Sequence, residues 1–83
     1  MDFIKPILPV LTLHGSSPES LRNDYMNVLK EIYSLQEAIR KVDFHSRDYN
    51  GQEEWTNARI QRLEIMAQLK YIQNHFEIIA ESI

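Results

Sequence analysis

LRNDYMNVLKEIYSLQEAIRKV, running from Leu21 to Val42, is the stretch that decides the fold. Within it Leu21, Tyr25, Val28, Ile32, Leu35, Ile39 and Val42 recur at alternating steps of four and three residues. That spacing keeps one stripe of an α-helix apolar. Just upstream, Ser16-Ser17-Pro18-Glu19-Ser20 spells a helix start: serine as N-cap, proline at the first helical position, and an acid facing the positive end of the helix dipole. A second apolar row, Met26, Leu29 and Tyr33, lies beside the first and makes the face wider than one partner helix covers.

Downstream the periodicity stops between Asp43 and Gln52, and Asn50-Gly51 supplies a pair that tolerates positive φ, so the chain turns back there. Glu53 and Glu54 then open a second helix at its dipole-positive end. Its seam is Trp55, Ala58, Arg62, Ile65, Leu69, Ile72, Phe76, Ile79 and Ile83, apolar except at Arg62. Ile60, Leu63, Ala67, Tyr71 and Ile78 widen it, so both helices offer more apolar surface than a two-helix hairpin buries.

At the other end, Pro6 and Pro9 forbid a helix and push Lys5 and Leu8 towards β or polyproline geometry. Val10-Leu11-Thr12-Leu13-His14 reads as one short strand, with the same strand of another subunit as its partner. The alternative is an arm laid over its own hairpin as an apolar cover. The expected fold is therefore mainly α: an extended arm with a short strand over residues 1–15, then a two-helix antiparallel hairpin over 16–83, with helices at about 18–41 and 53–81. Assembly into a helical homo-oligomer is expected, because a chain of 83 residues without cysteine has neither a large core nor a disulfide to substitute for one.

Composition narrows the function classes. One small domain fits the length, and the missing cysteines exclude disulfide scaffolds and cysteine-ligated zinc fingers. Twelve acidic against nine basic residues give a net charge of −3, a field that repels long nucleic acid. No apolar run approaches the roughly 20 residues a membrane span requires. The start carries Asp2 and neither a basic region nor a small-residue cleavage site, which argues against a secretory signal and makes the cytoplasm the expected compartment. His14, His45 and His75 fall in three separate segments, so no metal site is expected. Ser16 and Ser17 are accounted for by the helix cap, and no Gly-x-Ser-x-Gly elbow or glycine-rich phosphate loop occurs. Glu53 and Glu54 are adjacent and point to different faces. Neither catalysis nor a cofactor is expected.

Binding chemistry concentrates in the second half. Arg62 sits on the apolar seam, where a guanidinium must be paired or must meet an anion. Glu31 and Glu37 are the candidate partners for a register-fixing ion pair; the other reading is an anion contact inside an inter-subunit cleft. Arg59, one turn earlier, offers a second donor fork. The connecting loop, Phe44 to Gln52, mixes aromatics, a cation, an acid and amides. Tyr49 is able to stack on a base, Arg47 to hold a phosphate, and Asp48 and Gln52 to read ring edges, a list that suits a nucleotide. The plainer reading has Arg47 and Asp48 capping helix ends while Tyr49 packs over Trp55.

Taken together, Leu11-Thr12-Leu13-His14-Gly15-Ser16-Ser17, Arg47-Asp48-Tyr49-Asn50-Gly51-Gln52, Ala58 and Arg62 give the chain a pattern that resembles a family of very small bacteriophage proteins. Those proteins combine a short strand ending in a small-polar turn, a helix, an Arg-Asp-Tyr loop with a nearby Gln, and a second helix carrying arginine. The likeness covers residues from about 11 to 83. Asn50 stands where a second aromatic is common, and the polar turn is one residue shorter. The resemblance implies a phage-encoded anti-defence protein, in particular a sponge that sequesters a cyclic nucleotide immune signal without cleaving it. The ligand would sit at subunit interfaces on Arg47, Asp48, Tyr49, Gln52, Arg59 and Arg62, in the cytoplasm of the bacterial host. The alternative is a small helical inhibitor or adaptor that docks on a host or phage protein.

Overall fold

The computed structural model describes residues 5–11, 15 and 17–83. Two helices, α1 (Pro18–Arg40) and α2 (Gln52–Glu81), form a hairpin, joined by a loop containing one 3₁₀ turn at Ser46–Asp48. Ser17 caps α1: its hydroxyl oxygen accepts from the Ser20 backbone N–H at 3.1 Å, and Pro18 fills a first-turn position whose N–H has no helical partner. At the start of α2, Gly51 adopts φ +96° and ψ 172°, a region nearly closed to residues with a Cβ. The Glu54 carboxylate reaches back to accept from the Asn50 N–H at 3.2 Å, which secures that entry.

The hairpin interface is rotated from the seam that the heptad spacing predicts. On α1, Leu29, Ile32 and Gln36 are buried and Tyr25 and Ile39 half-buried, while Val28, Leu35 and Val42 are exposed. On α2, Gln73, Ile79 and Ala80 are buried, Arg62, Met66, Leu69 and Phe76 are half-buried, and Ile65 and Ile72 face outward. Tyr25, Ile32 and Ile39 thus keep their inward place, but the row between them moves by one residue, about 100° around the helix. An apolar face two rows wide lets either flank meet the partner helix. Polar complementarity favours the flank observed, since it brings Gln36 to Gln73.

Leu29, Ile32 and Ala80 form the core cluster, with Tyr25 and Phe76 packed against it and their rings 6.1 Å apart. Ala80 is small where Leu29 is large, which lets the helices approach. Next to this cluster runs a hydrogen-bonded chain. Gln36 Nε2 donates to Gln73 Oε1 at 3.0 Å, Gln73 Nε2 donates to Glu77 Oε1 at 2.7 Å, and Tyr33 Oη donates to the same carboxylate oxygen at 3.0 Å. The Gln73 bond, with those of Tyr33 and the charge of Lys70 behind it, holds the Glu77 carboxyl below its ordinary value. Arg22 closes the far end by donating to the Ile83 carbonyl.

The Cα trace extends over 60 × 26 × 15 Å with a radius of gyration of 17.8 Å. A compact chain of this length would have about 12 Å. A thickness of 15 Å is one layer of helices, and no large side chain among the described residues is completely enclosed. Among the described residues there is no β-strand: Val10 and Leu11 are irregular, and the rest of the expected strand, Thr12–His14, lies outside them. In the arm Pro6 is buried and Pro9 half-buried, whereas Ile7 and Val10 are 93% and 84% exposed. That three-residue alternation matches polyproline geometry. No helix among the described residues is long and apolar enough to cross a membrane.

Two outcomes are expected. Gln36→Leu should lower stability by about 1–3 kcal/mol because Gln73 loses its partner in a buried setting, and adding Gln73→Leu should recover part of that loss; urea denaturation of the single and double variants checks this. Glu77 has a folded-state pKa below its ordinary 4.5, so its contribution is complete above that pH and disappears as the pH falls through the lowered value. Thermal melts of wild type and Glu77→Gln should therefore differ at pH 7 and converge in acid.

Candidate functional site

The chemistry-bearing residues gather at the hairpin tip, where the loop returns over the start of α2. Phe44, Tyr49 and Trp55 form an aromatic cluster: Phe44 lies 4.8 Å from Trp55 and 5.7 Å from Tyr49 in an edge-on arrangement, and Tyr49 lies 5.5 Å from Trp55. These offsets suit aromatic rings, whose electron-rich faces prefer a neighbour's edge. Each ring is half-buried, so the cluster serves as a plug for the open end of the hairpin.

Arg62 is fixed in this plug. Its Nη2 donates to the Ile39 carbonyl at 2.8 Å, and its guanidinium lies 4.6 Å from the centre of the Phe44 ring. Ile39 belongs to the last turn of α1, where the dipole favours a cation, and its carbonyl accepts from the Val42 N–H at 3.1 Å as well as from Arg62. The seam position of Arg62 is thus explained by a carbonyl and a ring. Its hydrogen bond goes to that carbonyl and not to either expected acid, and Glu37 instead pairs with Arg40 at 3.3 Å. Arg59 is exposed and lies 5.9 Å above the Trp55 ring.

The remaining candidates spread out. Arg47 Nη2 lies 3.5 Å from Asp43, which also receives His45 Nε2 at 2.7 Å, so Asp43 is the electrostatic centre of the loop. Asp48 is exposed in the 3₁₀ turn and Gln52 is the exposed first residue of α2. Arg59 and Arg62 share a shallow groove of about 200 Å³ with Phe44, Leu63 and Met66. On the other side of Arg62, a groove of about 400 Å³ includes Tyr49, Gln61, Val42 and Ile65. Arg47, Asp48 and Gln52 line neither groove. Among the described residues, no set of three or more His, Cys, Asp or Glu side chains is placed to hold a metal ion.

One feature escaped the sequence analysis, and a second was expected there without its place being fixed. One is a broad polar groove of about 780 Å³ where Arg40, Lys41 and Lys70 surround the Gln36–Gln73 pair; the Arg40-Lys41 doublet was visible, but its alignment with Lys70 depends on the register. The other is the apolar excess, expected on both helices: the row left outside on α1 is Val28 and Leu35 and not the one containing Leu29, and it borders a groove of about 420 Å³ lined by Asn27, Val28, Glu31, Ile32 and Leu35. No protein-family model, curated protein or solved structure matches the chain.

The two arginines should separate cleanly. Arg62→Met is expected to cost about 1–3 kcal/mol, from a charged hydrogen bond and a cation–aromatic contact, whereas Arg59→Ala should stay within about 0.5 kcal/mol. Chemical denaturation monitored by Trp55 fluorescence provides the readout.

Proposed function

We propose that this protein acts by occupancy, as a helical interaction module whose working surface is the apolar flank of its hairpin. The observation that carries this reading is the single-layer architecture. A 15 Å thick hairpin leaves Val28, Leu35, Val42, Ile65 and Ile72 exposed, in rows that keep the seven-residue period of a helix-packing face. Exposed apolar residues scattered singly need no explanation, but five at helix-packing spacing on one side do. The homo-oligomer expected from the short chain belongs to this reading.

A second reading follows from the resemblance to small phage proteins: sequestration of a cyclic nucleotide signal in a bacterial cytoplasm. The observation favouring it is the meeting of Arg59 and Arg62 at one groove beside an aromatic cluster. It ranks second because Arg62 is already bonded to Ile39 and stacked on Phe44, while Arg47 pairs with Asp43. Spending those donors on a phosphate would weaken the contacts that close the hairpin.

Cross-linking mass spectrometry in cells producing tagged wild type, Leu35→Glu or Arg59→Ala separates the readings. The interaction reading expects protein cross-links, to another protein or to a second copy, that vanish in Leu35→Glu and persist in Arg59→Ala. Calorimetry with a panel of cyclic dinucleotides tests the other: binding abolished by Arg59→Ala and kept by Leu35→Glu would replace the first reading with the second.

A further inference from the structure

We propose that the polar groove over the Gln36–Gln73 pair binds the phosphate group of a small phosphorylated molecule, with Lys41 and Lys70 supplying the charge from its two walls. The site lies on the flank that the interaction reading leaves free, away from Val28 and Leu35.

Register brings the cations together. The Gln36–Gln73 hydrogen bond sets those two residues at one height along the hairpin. Arg40 and Lys41 lie four and five residues nearer the tip on α1, and Lys70 lies three residues nearer the tip on α2, which runs the other way. At about 1.5 Å per residue, all three fall within about 3 Å of height of one another, and both walls of the groove carry a lysine. Helix axes about 8–10 Å apart leave both ammonium groups within reach of one anion, because each sits on a flexible four-carbon stem.

Both lysines are also uncommitted. The chain has twelve acids for nine bases, yet neither ammonium group has a hydrogen bond or ion pair among the described residues. The arginines elsewhere are engaged: Arg22 with the Ile83 carbonyl, Arg62 with the Ile39 carbonyl, Arg47 with Asp43, and Arg59 over Trp55. The C-terminal dipole of α1 accounts for Arg40 and Lys41, but Lys70 stands well inside α2, where no helix end calls for a cation. Glu77 feels Lys70 only as the weakest of the influences that hold its carboxyl low, and its Oε1 already accepts from Gln73 and Tyr33.

Charge and size select the ligand. Three cations, Arg40, Lys41 and Lys70, against one acid, Glu37, leave the lining of the groove with an excess of positive charge. A phosphate monoester, with about −1.5 to −2 charge at neutral pH and three acceptor oxygens, answers both lysines. A single carboxylate leaves one of them unanswered, and the net charge of −3 holds off long nucleic acid. The groove, at about 780 Å³, is far larger than a phosphate ion needs and is of small-molecule size. The organic body would lie over Gln36 and Gln73, each with an amide hydrogen not spent in the network, beside the exposed Tyr33 ring.

Amide-resolved NMR of the isotope-labelled protein, titrated at low ionic strength with adenosine monophosphate, glycerol phosphate and inorganic phosphate, tests this. Saturable shifts are expected at Gln36, Lys41, Lys70 and Gln73, with at least one organic phosphate binding more tightly than inorganic phosphate. Adenosine monophosphate ahead of glycerol phosphate identifies a nucleotide body; the reverse order identifies a polyol. Lys41→Gln and Lys70→Gln should each weaken affinity at least about fivefold, whereas Arg59→Ala leaves it unchanged. Both lysines are exposed, so these variants keep the fold, which circular dichroism checks. Inorganic phosphate binding as tightly as either ester overturns the organic body. Shifts that never saturate and are reproduced by sodium chloride, shifts centred on Arg59 and Trp55, or unchanged affinity in both lysine variants overturn the site. Leu35→Glu should leave the titration as it is in wild type, so failure here and failure of the interaction reading are told apart.

Discussion

A two-helix layer has no inside, so the contacts that fix one helix against the other must be made along a single line. Here that line is held by the Gln36–Gln73 amide bond and its continuation through Glu77 to Tyr33. Apolar packing of Leu29, Ile32 and Ala80 supplies attraction, but apolar contacts are non-directional and tolerate sliding. A buried amide without a partner does not, because a lost hydrogen bond in a dehydrated setting costs more than the bond gains. The polar chain thus selects which flank of each helix faces inward, and everything exposed follows from that choice.

The same logic governs the tip. Phe44, Tyr49 and Trp55 cover the end of the hairpin where the helices separate, and Arg62 crosses between them to reach the Ile39 carbonyl. A guanidinium has enough donors to satisfy a helix end and still stack on a ring, a combination that lysine does not offer. The residues that look most like ligand-binding chemistry are consequently divided. Arg62, Tyr49 and Trp55 carry structure, whereas Arg59, Asp48 and Gln52 remain exposed at the rim.

Charge is distributed unevenly across the layer. One flank carries the polar network and a basic groove of Arg40, Lys41 and Lys70; the other carries exposed isoleucine, leucine and valine at heptad spacing. Among the described residues few apolar side chains are buried, so the proposed interaction reading looks to that second flank, whose burial on another helical layer would add the apolar contacts that the hairpin lacks.

The sequence by itself determined the helical hairpin. Ser17-Pro18 at the start of α1, Gly51 ahead of α2, and long stretches of period between three and four are local signals, set by backbone sterics and dipoles that act within a turn. It also singled out Arg62 as a residue needing a partner and gave Tyr49 packing over Trp55 as one reading of the loop. Tertiary structure alone decided which side of the wide apolar stripe is interior: Leu29 and Gln36 turned in where Val28 and Leu35 fit the heptad equally well. It also decided that Arg62 meets a carbonyl and a ring and that Lys70 joins Arg40 and Lys41. The physical reason is that periodicity fixes how a helix is striped, while the rotation of that stripe against a neighbour depends on a pairing between residues 37 positions apart, Gln36 and Gln73, which no local pattern encodes.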